Sequence, residues 1–431
     1  MNPGIREPAP VVLHKSSAIG ENEKNEERRL GDFDYSIRYI RLLLRILGIW
    51  HLVATKPAMK LEQHLSKIIL ASGSLSMITL MVPLCCHIIF RSVDRFEIII
   101  LLGPITYQAA NIIMHYVLLF RSHTLGLCIR HMEDDWREIK DSNEDDIMKK
   151  HVHFSHLLSI ACISFMYTSA IAYFLVMPFS SERSLNNEKN ETVRPRAFPG
   201  SDFFFDAQAN VLYELAFTMD FISALFHYTV STSVCNLAVV LVSHACGQIQ
   251  IVKWNLENFI HRVIEKHNDT TDTIVTEWIG IIVKKHVRLI EFAATIEEAL
   301  REIFLVEVVA STLIICFVEY DIIIVSDQSK SDFLGTLTYV SLLIAFAFNL
   351  FLFCRFGEVL REQSEEIGKV AYMVDWYRLP GKTKLAFIMI INMAHTPCEL
   401  TAGGMMELSI ANFAKIMKTS FAYLNMLRKT G

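Results

Sequence analysis

Apolar residues fall into long runs separated by polar segments of very unequal length. Seven runs are long enough to cross about 30 Å of hydrocarbon as helices: residues 68–90, 97–120, 157–179, 211–242, 303–325, 335–353 and 404–427. Connections 91–95 and 326–334 are short, whereas 121–156, 243–302 and 354–403 are long and helix-compatible. Seven crossings put the three long connections and the N-terminus on one side, where together they build a sizeable helical layer. Ahead of the first run, Ile37, Ile40, Leu43, Leu44, Leu47 and Trp50 alternate with Arg38, Arg41 and Arg45, which predicts an amphipathic helix at the headgroup boundary.

The last run differs from the others because it carries a polar stripe. At 100° per residue Glu407, Ala411, Lys415, Lys418, Ala422 and Asn425 fall within an arc of about 80°, away from Phe413, Ile416, Met417, Phe421, Leu424 and Leu427. Charged side chains near the middle of a bilayer are costly unless they are paired or hydrated, so the stripe faces protein or water. It reads as the lining of a pore.

Composition agrees with the pattern. The 431 residues are 52% hydrophobic and have a mean hydropathy of +0.33, the profile of a polytopic membrane protein. The formal net charge is −5, and no basic block is interleaved with aromatics, so nucleic-acid binding has no support. Nine cysteines are an odd number and most sit in or beside apolar runs, which argues against a disulfide framework. Residues 1–30 hold three prolines and a charged run with no signal-peptide core, which predicts a disordered tail and a first span that acts as the targeting signal.

Lys and Arg follow loop length, so charge alone does not orient the chain. The polar loop 180–206 holds an Asn190-Glu191-Thr192 sequon, which has meaning only on the luminal side. Asn190 is therefore the expected glycosylation site, with the N-terminus inside and the C-terminus outside.

The outer half of such a bundle offers a candidate pocket. Met166, Ser169, Tyr173 and Met177 share one face of the third span, and Tyr213, Phe217 and Phe221 one face of the fourth. Thr336 and Tyr339 begin the sixth span at the same depth, and Leu101 and Ile105 complete the expected ligand-binding set from the second. Such residues suit a mostly apolar cavity for a small ligand; packing between helices and interfacial aromatics would leave the same pattern. Asp220 and Glu307 lie deeper and require buried partners or water. The nucleotide-binding, hydrolase and zincin signatures are missing, and His151, His153 and His156 do not share a helical face closely, so neither catalysis, a metal nor a cofactor is expected.

The C-terminal third resembles the insect odorant receptor family. The likeness rests on Gly357-Glu358-Val359-Leu360, on residues 371–380 (AYMVDWYRLP), on Ala402-Gly403-Gly404, and on residues 408–418 (LSIANFAKIMK) leading to Ser420-Phe421-Ala422-Tyr423. Leu47-Gly48-Ile49-Trp50 near the N-terminus is also similar. The resemblance implies an odorant-tuned subunit of a ligand-gated, non-selective cation channel in the plasma membrane of olfactory sensory neurons. A small volatile apolar ligand would bind in the outer half of the bundle. Four subunits, some of them a shared co-receptor, would surround one pore lined by the last helix. Segment 354–403, with Tyr372, Trp376, Tyr377 and Pro380, would correspond together with 243–302 to the intracellular anchor through which subunits assemble, and 31–353 to the six-helix bundle with its cytoplasmic helix extensions.

The resemblance implies an apolar gate near the outer end of the last helix, for which the family motif suggests Leu424, whereas the stripe points Ala422 and Asn425 inward. Two other classes stay open on the residues alone. A G-protein-coupled-type chemoreceptor needs the opposite topology, and a membrane transporter is expected to carry internal repeats or paired broken helices.

Overall fold

An apolar run fixes where a helix crosses lipid, but a helix continues for as long as its neighbours offer a surface to pack on. In the computed structural model the runs become helices that extend well past lipid length. The structure describes residues 26–56, 59–91, 95–139, 141–180, 185–186, 191–192, 198–200, 210–261, 272–328, 333–379 and 383–430. Three short helices come first: α1 over 26–36, α2 over Arg38–Ile46 and α3 over Trp50–Val53. Then follow α4 (Lys60–Phe90), α5 (Arg95–Phe120), α6 (Ser122–Glu138), α7 (Ser142–Ser180), α8 (Asn210–Glu257), α9 (Asp272–Gln328) and α10 (Phe333–Met373). The chain ends with α11 (Thr383–Ala394) and α12 (Ile410–Thr430). Among the described residues, α4, α5, α7, α8, α9 and α10 are long and apolar enough to cross a membrane. The amphipathic α12, at 21 residues, spans about 31 Å at 1.5 Å per residue.

Helix α8 forms the axis of the bundle. Every residue from 227 to 247 is buried, as expected of a helix whose apolar surface runs all round. Its hydroxyls are satisfied by the preceding turn: Thr232 Oγ1 donates to the Tyr228 carbonyl at 2.7 Å and Ser233 Oγ to that of Thr229 at 2.6 Å. Helices α4, α5, α7, α9 and α10 all pack on it, and α2 does as well.

The structure revises three expectations. Residues 26–30 are helical, not part of a disordered tail. Helix α2 buries Ile40, Leu43 and Leu44 within the protein against α8, so its apolar stripe is satisfied by packing instead of by headgroups. The last helix begins at Ile410, not 404. Residues 401–407 instead form an antiparallel pair, β3 (Thr401–Ala402) with β4 (Met406–Glu407). Its turn places Gly403 at φ 65° and Gly404 at φ 72°, a left-handed conformation that glycine adopts at no steric cost. A second pair joins β1 (Leu185–Asn186) to β2 (Glu191–Thr192). Asn190, Pro380 and the Met177 side chain lie outside the described residues.

Candidate functional site: a buried cavity beside the last helix

Six long helices line a narrow cavity of about 60 Å³, α4 contributing Leu80. Helix α5 contributes Tyr107 and Gln108; α7 Ala170, Tyr173 and Phe174; α8 Ala224, His227 and Tyr228; α9 Ile314, Val318 and Asp321; α10 Tyr339, Leu342 and Phe346. The walls are mostly rings set against one another. Tyr107 lies 5.0 Å from Tyr228 and meets Phe346 edge-on at 5.5 Å, centroid to centroid. Offset and edge-on contacts of this kind stiffen a wall beyond what area burial alone provides.

Tyr173 and Tyr339, both expected from the sequence, stand on the wall. Phe217 and Phe221 form a layer behind it, each 5.1 Å from Phe174. Met166 packs with Ala170 and Tyr228 at one end. Leu101 and Ser169 are buried, Ile105 and Thr336 are half-buried, and none of the four reaches the cavity. Tyr107, Gln108, His227, Tyr228 and Asp321 were not anticipated. Extending the α8 stripe of Tyr213, Phe217 and Phe221 by one heptad reaches Tyr228, and the same step from Leu101 on α5 reaches Gln108.

Next to the cavity, between α4 and α8, lies a wider recess of about 310 Å³ that takes in Pro83, Leu212, Met219 and Asp220. Leu80 and Phe198 belong to both walls. Glu307, the other deep acid, accepts hydrogen bonds from Asn349 Nδ2 at 2.7 Å and Ser311 Oγ at 3.2 Å, the buried partners that its position requires.

Helix α12 packs on α9 through Ile416, Ser420 and Leu424. Ser420 Oγ donates to the Thr312 carbonyl at 3.1 Å, and Leu424 joins Cys316 and Tyr320. At 100° per residue the centre of this face lies about 180° from that of Ala411, Lys415, Lys418, Ala422 and Asn425, all of which are exposed. The geometry corrects two members of the expected pore set. Leu424 belongs to the face that packs on α9. Glu407 is not on the helix at all but in β4, where it accepts from Arg361 Nη1 at 3.0 Å. The start of α12 is held from α10: Glu358 Oε2 accepts from the Ile410 N–H at 3.2 Å, placing a carboxylate at the positive end of the helix.

In the segment expected to assemble subunits, Tyr372 and Tyr377 are exposed and Trp376 is half-buried against the core. Leu385, Ile388 and Met389 of α11 are also exposed.

Known proteins give the architecture its relatives. The chain is 23% identical to odorant receptor 13a of Drosophila melanogaster over 251 residues, 52% of this chain and 59% of that one. It is 21% identical to odorant receptor 10 of Aedes albopictus over 236 residues, 54% and 58% of the respective chains. The matched region thus spans somewhat over half the length of these relatives. The insect olfactory receptor OR5 from Machilis hrabei, solved in complex with eugenol, superposes with a TM-score of 0.74 at 15% identity, over 92% of this chain and 100% of that one. This likeness establishes the all-α fold, and the last helix supplies the seventh crossing that six apolar helices leave to be found. The 7tm odorant receptor family matches residues 97–421, three quarters of the sequence, and the chain belongs to that family.

Proposed function

We propose that this chain is an odorant-tuned subunit of a ligand-gated, non-selective cation channel, with its N-terminus inside, its C-terminus outside and the exposed stripe of α12 facing a central pore. A small volatile ligand occupies the cavity between α4, α5, α7, α8, α9 and α10. One observation carries this reading: α9 presents Ile314, Val318 and Asp321 to the cavity and Thr312, Cys316 and Tyr320 to α12. A ligand that favours one placement of α9 therefore shifts the last helix with it, as population shift requires. Eugenol in the OR5 complex and the odorant receptors among the relatives support the ligand class.

Lys415 and Lys418, both exposed on α12, argue for mixed assembly. Four identical subunits would ring a cation path with lysines, whereas co-receptor subunits dilute that charge. The exposed apolar surface of Tyr372, Tyr377 and α11 supplies the contact between subunits, which in olfactory neurons meet in the plasma membrane. Co-expression with a co-receptor subunit is expected to give currents evoked by a volatile panel, and the chain alone to give none. Robust currents from the chain alone would remove the argument from the lysines. Tyr339→Ala is expected to shift the ranking of ligands and to change half-maximal concentrations by about tenfold, the effect of 1–2 kcal/mol of lost wall contact, while leaving surface abundance unchanged. An unchanged ranking would take the ligand out of this cavity.

A further inference from the structure

Gln108 is 2% exposed, lines the cavity, and has no hydrogen-bond partner among the described residues for either its Oε1 or its Nε2. Buried polar groups are nearly always paired, so an amide with both polar atoms unpaired, on a residue of a largely aromatic wall, calls for a partner beyond the protein's own side chains. We propose that the cavity selects neutral ligands bearing a hydroxyl group, with the Gln108 amide as the determinant; the inference rests on the ligand site proposed above.

The chemistry of the amide narrows the class. Nε2 donates and Oε1 accepts, and a hydroxyl answers both, accepting from the first and donating to the second. An ether or a hydrocarbon of the same shape cannot reach Oε1 with a donor and leaves it unpaired. Selection against a ligand that lacks a required hydrogen-bonding group is stronger than selection by apolar shape, because the site's own polar group then stays desolvated. Asp321 on the same wall places an acid beside the ligand, which disfavours an anion there. On the same wall the Tyr107 hydroxyl and both His227 ring nitrogens also have no hydrogen-bond partner among the described residues, while the rings of Tyr107, Tyr173, Tyr228 and Phe346 suit an apolar body attached to the hydroxyl.

The test uses the full-length chain purified in lipid nanodiscs, with thermal stabilisation as the readout of binding, so channel opening is not required. A panel of volatile alcohols and phenols is titrated, each beside its methyl ether, its parent hydrocarbon and the corresponding primary amine. The expected result is that at least one hydroxyl compound half-saturates at about one tenth of the concentration its ether needs. In Gln108→Leu that advantage disappears while the melting temperature without ligand is unchanged or higher. Gln108→Asn, which keeps the amide, retains part of the advantage. Equal binding of ethers or hydrocarbons, tighter binding of the amine, or an advantage that survives in Gln108→Leu would overturn the assignment. Binding of no panel member to either protein would instead fail the ligand site itself, and this inference with it.

Discussion

Asp135→Ala is expected to destabilise the protein by about 3–5 kcal/mol, the cost of removing one member of a buried charge cluster. Asp135 lies on α6 and is 5% exposed. His244 Nε2 of α8 donates to its Oδ2 at 2.9 Å, Arg288 Nε of α9 donates to its Oδ1, and His131 Nε2 stands 3.8 Å away. Phe292 closes the site, stacked on His131 at 4.8 Å and edge-on to His244 at 5.3 Å. Without the carboxylate, the Arg288 cation and the His244 ring keep their places in a largely dry environment and lose the group that three helices share.

Burial pushes the Asp135 carboxyl upward, but its hydrogen bond to His244 and the charges of His244, His131 and Arg288 outweigh this and hold it below the usual value. Its contribution to stability is therefore complete above the ordinary carboxylate range and is lost as pH falls through the depressed pKa. Asp135→Asn keeps a hydrogen-bond acceptor and is expected to fall between wild type and alanine. Thermal inactivation of the purified chain provides the measure. A melting temperature for Asp135→Ala within a degree of wild type would mean that the cluster does not tie α6 to α8 and α9.

These features were not equally visible in the sequence. Six of the seven apolar runs became α4, α5, α7, α8, α9 and α10, because twenty apolar residues have few other destinations. The extension of α9 to 57 residues was less visible: beyond the apolar run its helix is tied to α6, where Arg288 meets Asp135 and Phe292 stacks on His131. The start of α12 was misplaced because periodicity continues smoothly through Glu407, whereas the chain is turned by Gly403 and Gly404 and Glu407 is held by Arg361. The stripe itself needed only helical geometry, and five of its residues emerge on the exposed face.

The cavity was partly legible for a similar reason. Tyr173 and Tyr339 are large aromatics at matched depth, a signal that periodicity carries. His227 gives no such signal and Gln108 only its heptad step from Leu101, since a single polar residue in a span looks the same whether it is paired across helices or set beside a cavity. Asp135, His244 and Arg288 are far apart in sequence, and only the fold brings them together. The motif Gly357-Glu358 was recognisable by resemblance without its reason, which the packing of α10 on the last helix now supplies.

Gly357→Ala is expected to cost about 1–3 kcal/mol or more, because it overpacks a contact that cannot relax through a side chain. A Cβ at Gly357 would stand 2.6 Å from Leu408 Cβ and closer still to the Leu408 carbonyl oxygen. That backbone is fixed from several directions. The Leu408 N–H donates to the Leu400 carbonyl at 2.9 Å, and the Gly403 N–H to that of Arg301 at 2.8 Å. Glu358, the next residue on α10, holds the Ile410 N–H. The added methyl must therefore displace the strand pair and the first turn of α12 together, loosening the carboxylate from the helix terminus and turning the Lys415 and Lys418 face away from its present direction. Gly280→Ala is the matched control: its Cβ meets nothing within 4 Å, and alanine in a helix is neutral to stabilising by up to about 1 kcal/mol. Melting temperatures of both variants are the primary comparison, with ligand-evoked current in co-receptor-expressing cells as the second. Gly357→Ala should melt several degrees below wild type and, on the proposed channel function, pass less current per surface channel, while Gly280→Ala melts at or slightly above wild type and passes the same current. If the two variants melted alike, the close approach of α10 to Leu408 would not set the position of the last helix.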